Sequence, residues 1–128
     1  MNTITKATGL RAYNDSIRHT LPEIVSDLRD ILGAKLVAYI AGVSETRTIR
    51  EWATAERKPA ALAEQRLRLA HRITQLIANS EGKAIVPTWF QGMNPHLDDR
   101  SPARVLREDD FEECGRKVLL AANAFVGA

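Results

Sequence analysis

Gly42 is the residue that most constrains this chain. It separates two short runs of helical spacing within Lys35 to Pro59, KLVAYIAGVSETRTIREWATAERKP. Before it, Leu36, Val37, Ile40 and Ala41 recur as the apolar positions of a helix. Glycine takes the left-handed backbone at little steric cost, so the helix is expected to end there and the chain to turn sharply. Val43 follows as an apolar plug, and the hydroxyl of Ser44 or Thr46 is expected to cap a second helix. In that helix Ile49, Trp52 and Ala53 fall on one face, while Arg47, Thr48, Arg50, Glu51 and Thr54 fall on the other.

A helix with an apolar back and an Arg/Thr front, set across a glycine turn, is the helix-turn-helix pattern. An ordinary helical hairpin with solvated arginines fits the same spacing. The Gly-Val-Ser turn resembles that of Xre/Cro-type repressors, and Trp52 followed by Glu56-Arg57-Lys58-Pro59 is similar to their W…G…P ending. The gap from Gly42 to Ile49 is a residue longer than in the minimal motif, which starts the second helix late or rotates it. On a DNA-reading helix, Arg47 and Arg50 can pair with guanine edges. Ser44, Thr46 and Thr48 suit phosphate or base-edge contacts, and Arg57 and Lys58, just past the helix, suit backbone phosphates.

The 128 residues suffice for one domain or two small helical subdomains sharing a core. Apolar residues make up 45% and aromatics 5%, with little Val/Ile/Thr alternation, so the expected class is all-α. No apolar run approaches the ~18 residues of a membrane helix. The opening MNTITKATGL lacks the profile of a secretion signal, and Cys114 has no partner for an internal disulfide. The expectation is a cytoplasmic protein with no membrane partner. Net charge is only +2, but it is uneven. Residues 45–72 carry seven Lys/Arg against four Glu, and residues 73–128 carry six against eight acidic groups. A basic middle and an acidic end point to two partners of different kinds, although charge runs this mild also serve as solvated faces.

Residues 1 to about 19 show no clear period and read as a partly ordered lead-in. Thr20-Leu21-Pro22-Glu23 is a capping-box arrangement opening a helix with Leu21, Ile24, Val25, Leu28, Ile31 and Leu32 as its stripe, closed by Gly33. With nothing charged on its inner face, it is expected to pack behind the paired helices. After Pro59 comes a helix of about twenty residues, rich in strong formers. Its seam is read as Leu62, Leu69, Ile73 and Leu76 beside Ala63, Ala70 and Ile77, with Arg66, Arg68 and Arg72 outside. That stripe is wide enough for both core and dimer contacts. Asn79 to Gly82 breaks it, and Ala84, Ile85, Val86, Trp89 and Phe90 form a further helix containing Pro87. The domain boundaries expected are 1–59, with the paired helices at 34–59, and 60–128, with a second unit at 80–126.

Trp89 to Leu106, WFQGMNPHLDDRSPARVL, is the second informative stretch. Gly92 and Asn94-Pro95 end a helix and turn the chain, Leu97 returns to the core, and Ser101-Pro102 restarts a helix anchored by Val105 and Leu106. Residues 109–126 read as a last helix, capped by Asp109 or Asp110. Phe111, Gly115, Val118, Ala122 and Phe125 form its apolar face, widened by Leu119, Leu120 and Val126. Such a face must dock, either on the core or on a partner.

The run W-F-x(3)-N-P-x-L-x(2)-R-S-P-A-x-V-L resembles the toxin-binding domain of Xre-type antitoxins, the MbcA/ParS family paired with RES-domain toxins. Members join an Xre-like helix-turn-helix to this domain in the same order, and the resemblance spans roughly residues 34–126. The chain departs from the family pattern at Asp98-Asp99, where small or glycine residues are usual. It departs again at Glu108-Asp109-Asp110, where the family link is shorter and contains glycine. The resemblance implies an all-α fold and an antitoxin that neutralises an NAD-degrading RES-domain toxin and represses its own operon. It places toxin contacts on Trp89, Asn94, Pro95, Arg100, Ser101 and Pro102, and on Arg116, Asn123 and Phe125 of the last helix. A stand-alone helix-turn-helix regulator without a toxin, or an interaction protein that no longer meets DNA, are the other readings. A homodimer is expected, through the Leu62–Ile77 helix or the C-terminal region, because one short recognition helix reads few bases.

Catalytic patterns are missing. No P-loop, dinucleotide fingerprint or nucleophile elbow occurs. Asp98-Asp99 and Asp109-Asp110 are adjacent in sequence and so point apart. His19, His71 and His96 are far apart and share no metal-ligand spacing, and Cys114 reads as a small core residue. The expectation is therefore a non-enzyme without cofactor or metal.

Overall fold

Thr20 sets the first observed element. In the computed structural model, which describes residues 19–127, its hydroxyl accepts from the Glu23 N–H while Glu23 Oε1 accepts from the Thr20 N–H at 3.0 Å. The same backbone bond holds the Glu23 carboxyl below its ordinary range. This capping box opens α1 (Leu21–Leu32), with Pro22 in the first turn, where a missing N–H costs nothing. The lead-in read over residues 1–19 lies outside the described residues except for His19.

Gly33 and α2 (Ala34–Ala41) follow, and Gly42 ends α2 in the left-handed region at φ 88°, its N–H on the carbonyls of Ala38 and Tyr39. After the turn comes α3 (Thr46–Ala53). The expected cap is corrected here: the N-cap position belongs to Glu45, Thr46 is already helical, and neither Ser44 nor Thr46 caps the helix. Ile49 and Trp52 are buried as expected, but so is Glu51, which had been read on the outer face. Its carboxylate meets Arg47 Nε at 3.3 Å and Arg57 Nη1 at 3.4 Å, so two guanidiniums compensate its burial.

The longest element is α4 (Ala61–Glu81), closed by Gly82. Its buried seam is Ala63, Leu67, Ala70, His71, Ile73, Thr74 and Ile77, rotated from the expected one. Leu62 is exposed, Leu69 and Leu76 are half-buried, and Leu67 and His71 take the centre. The seam is broad because α1, α2 and α7 all pack on it. Arg66 also turns inward rather than outward, donating to the carbonyls of Ala41 at 3.4 Å and Arg107 at 3.0 Å.

A 3-10 turn (Lys83–Ile85) leads into α5 (Val86–Gln91), with Pro87 in its first turn. Val86, Trp89 and Phe90 are buried, whereas Ala84 and Ile85 face solvent. A second 3-10 turn (Pro95–Leu97), α6 (Pro102–Glu108) and α7 (Phe111–Gly127) complete the described chain. The protein is all-α: among the described residues the only β-type pairing is a single bridge between Asn94 and Arg100. One continuous hydrophobic core runs from Ile24 and Val25 of α1 through Leu67 and Ile73 of α4 to Leu106, Val118 and Ala122. No helix among the described residues is long and apolar enough to cross a membrane.

Candidate partner-binding surfaces

Two surfaces carry the sequence-derived site residues. On the first, α3 shows Thr46, Arg47 and Arg50 to solvent, Ser44 is exposed in the turn before it, and Thr48 is half-buried. Arg57 and Lys58 are exposed just beyond it. The Arg47 side chain is 71% exposed even while it touches the largely buried Glu51 carboxylate, so most of it stands in solvent. A cleft of about 710 Å³ runs along the start of α3, lined by Lys35, Tyr39, Val43, Thr46, Arg47 and Arg107 among others. Arg107 was not read as part of this surface. It comes from α6, donates to the Tyr39 carbonyl at 2.8 Å and to that of Val43 at 3.4 Å, and lies 4.8 Å over the Tyr39 ring. Nothing local in the sequence pairs residue 107 with residue 39; the contact exists because α6 packs on α2.

The exit from α3 is strained. Thr54 caps it through backbone, and Ala55 stands at φ 65°, a conformation that L side chains other than Asn and Asp adopt at a cost.

The second surface is the connector from Trp89 to Leu106. Asn94 Oδ1 accepts from the His96 N–H at 2.9 Å, and the Asn94 carbonyl accepts from Leu97 and Asp99. Ser101 Oγ accepts from the Arg104 N–H at 3.2 Å, and Pro102 is buried behind it. The turn passes through Asp98 and Asp99 at φ 57° and 63°. Their short polar side chains make aspartates tolerable there, and glycine would be easier still. Arg100 grips Asp109 with both terminal nitrogens, Nη1 to Oδ1 at 2.8 Å. That bond holds the Asp109 carboxyl below its usual range. Asp109 therefore closes α6 and anchors Arg100, while the Asp110 carbonyl receives the first N–H groups of α7 from Glu113 and Cys114.

Of the expected partner contacts, then, Trp89, Asn94 and Pro102 are buried, Ser101 is half-buried, and Arg100 is engaged within the chain. Pro95, Arg116, Asn123 and Phe125 stand at the surface. Phe125 is 41% exposed and its ring centroid lies 6.5 Å from that of Trp89. Leu120, expected in the docked face of α7, instead points to solvent at 61% exposure. It falls one turn from both Arg116 and Asn123, on one outer stripe of the helix. Met93, between Gly92 and Asn94, is 82% exposed and was not singled out in the sequence. A methionine inside a turn cluster is the signal that could have found it, since a connector gains nothing from an apolar side chain in water. Cys114 is buried, and burial pushes its thiol above the ordinary value, which makes it a core residue rather than a nucleophile.

No family model matches this chain, and neither a curated protein nor a solved structure matches it.

Proposed function

We propose that this protein is an antitoxin: its C-terminal half binds and blocks a RES-domain toxin that degrades NAD, and its paired helices α2 and α3 bind the operator of its own operon. The observation that carries this reading is the run from Trp89 to Leu106, with its Asn94-Pro95, Leu97 and Ser101-Pro102 spacing, placed after a glycine-turn helix pair. The toxin surface consists of the outward residues beside that run: Pro95, Phe125, and the α7 stripe of Arg116, Leu120 and Asn123. Trp89, Asn94, Arg100, Ser101 and Pro102 act by holding the connector in shape. The antitoxin does no chemistry on NAD; it covers the entrance to the toxin's active site.

On DNA, α3 enters the major groove as a helix-turn-helix recognition helix. Arg50 and Arg47 reach base edges, Ser44, Thr46 and Thr48 meet phosphates or base edges near the helix start, and Arg57 and Lys58 hold the backbone. The complex acts as a homodimer, which doubles the site read. Exposed Leu62 on α4 supports an apolar contact between copies.

Co-expression with the product of the neighbouring gene tests the toxin arm. The expected result is that the neighbour arrests growth alone, is harmless with this protein, and co-purifies with it. A harmless neighbour, or no complex, overturns it. Gel shifts on the native promoter at moderate salt test the DNA arm, and Lys58→Ala should weaken all sequences about equally. Sedimentation at roughly tens of micromolar, where modest interfaces hold, tests the dimer.

A further inference from the structure

We infer that His19, Asp27 and His71 form a binding site for a divalent transition metal, in the class of zinc, cobalt and nickel. The fold, not the sequence spacing, assembles it. His19 stands immediately before the Thr20 cap of α1, Asp27 lies in the middle of α1, and His71 lies on the facing side of α4. His71 Nε2 is 3.2 Å from Asp27 Oδ2, and the two imidazole rings meet edge to face with centroids 5.3 Å apart. One ligand atom from each of the three residues lies within 4.8 Å of the others.

Three details fit a cation at this cluster. First, a tetrahedral zinc with bonds of about 2.1 Å sets its ligand atoms roughly 3.4 Å apart, and the Asp27–His71 edge of 3.2 Å already has that separation. Second, His19 Nδ1 is buried without any hydrogen-bond partner, an arrangement that costs free energy unless a ligand meets it. Third, Gln75 Nε2 lies 3.3 Å from the same His71 Nε2 that faces Asp27. A ring nitrogen cannot donate to a carboxylate and accept from an amide at once. Turning the Gln75 amide over presents its oxygen to the site instead, as a fourth donor or a partner for a bound water.

His71 is fully buried, whereas the Asp27 side chain is 45% exposed, so an ion has a wet entrance and a dry floor. Two imidazoles and one carboxylate are borderline donors that favour zinc, cobalt and nickel over magnesium or calcium. The remaining gap to His19 closes by rotation of a side chain that precedes the helix and is not held by its ladder. Bound metal would tie His19 and α1 to α4 and stabilise the fold by mass action.

The test is calorimetric titration of zinc chloride into the full-length protein, with cobalt as a spectroscopic probe. One zinc per chain is expected, with a visible d–d band for cobalt and a rise in unfolding temperature on zinc addition. His19→Ala and Asp27→Ala, both at half-exposed positions, should each weaken zinc by at least the roughly 10–100-fold that even an outer-shell partner is worth. His96→Ala and Cys114→Ser should leave it unchanged. Affinity should fall as pH is lowered, because protons compete with the metal for the imidazole nitrogens. His71→Ala is avoided because it opens the core. Absence of binding up to about 100 μM zinc, a range in which even weak specific sites fill, would overturn the inference. So would stoichiometric binding that survives His19→Ala and Asp27→Ala.

Discussion

Around the turn between α2 and α3 most polar side chains stand in solvent, whereas in the connector between α5 and α6 Asn94, Arg100 and Ser101 are engaged by the fold. Ser44, Thr46, Arg47 and Arg50 make no contact that shapes the backbone of the turn; Gly42 does that, with Arg66 holding the Ala41 carbonyl and Arg107 those of Tyr39 and Val43 from outside. Asn94, Ser101 and Arg100 cap, bridge and clamp the connector. Similar residue types thus face solvent in one place and hold the backbone in the other. A motif of polar residues is therefore not by itself a binding surface: the connector's outward groups are the neighbours that the motif holds in position.

The contrast predicts where substitutions act on stability and where on binding. The largest effect is expected at Gly42→Ala. Left-handed backbone costs an L residue about 1–2 kcal/mol, and the new Cβ would lie 2.6 Å from Arg66 Nη1, displacing it from the Ala41 carbonyl. Urea unfolding should show a loss of about 1–3 kcal/mol. No loss would mean that the turn is not held as described.

Next comes Asn94→Ala, which removes the cap of the 95–97 turn and should cost about 1–2 kcal/mol in the same assay. Under the proposed antitoxin reading it should also weaken toxin capture in proportion to stability. A variant of undiminished stability that fails to bind toxin would reverse the assignment and make Asn94 a direct contact.

Ala55→Gly should go the other way. It relieves the left-handed strain at φ 65° but frees the unfolded chain, for a net gain of about 0.5–1 kcal/mol. A loss would show that the Ala55 methyl packs usefully.

The Arg100–Asp109 pair gives a pH signature. Asp109 has a lowered pKa in the folded state, so its contribution is present above the unfolded carboxylate value of about 3.9 and is lost as pH falls through the folded value. Asp109→Asn should therefore be less stable than the parent at neutral pH, and the difference should shrink in strong acid. A difference independent of pH would point to packing instead.

The smallest stability effect, within about 0.5 kcal/mol, is expected for Arg50→Ala, because Arg50 is exposed. On the promoter the same change should cost about 1–3 kcal/mol of discrimination at one base pair of each half-site. Equal weakening on every sequence would make Arg50 a phosphate contact.

Much of this was legible in the chain because it depends on neighbours a few residues apart. The capping box at Thr20, the stop at Gly42, the Ser101-Pro102 restart and the burial of Ile49 and Trp52 follow from periodicity and local hydrogen bonding. Cap placement at Glu45 escaped that logic. Ser44, Glu45 and Thr46 all carry acceptor side chains, yet none makes a cap bond, because the chain enters α3, which packs on α1, with Glu45 extended and its side chain unused.

The amino-acid sequence by itself determined the helices, most of their ends and the all-α class, since the energies that start and stop a helix act within a turn or two. Tertiary structure alone decided the rotation of each helix and everything joined across it. Leu67 rather than Leu62 reaches the core because α4 is enclosed by three neighbours, which selects one face from a stripe with several eligible faces. Glu51 is buried because Arg47 and Arg57 converge on it, and Arg66 and Arg107 turn toward carbonyls at the ends of other helices. His71 meets Asp27 and His19 across 44 residues of chain or more. Those contacts depend on the relative placement of helices, which short-range spacing does not encode.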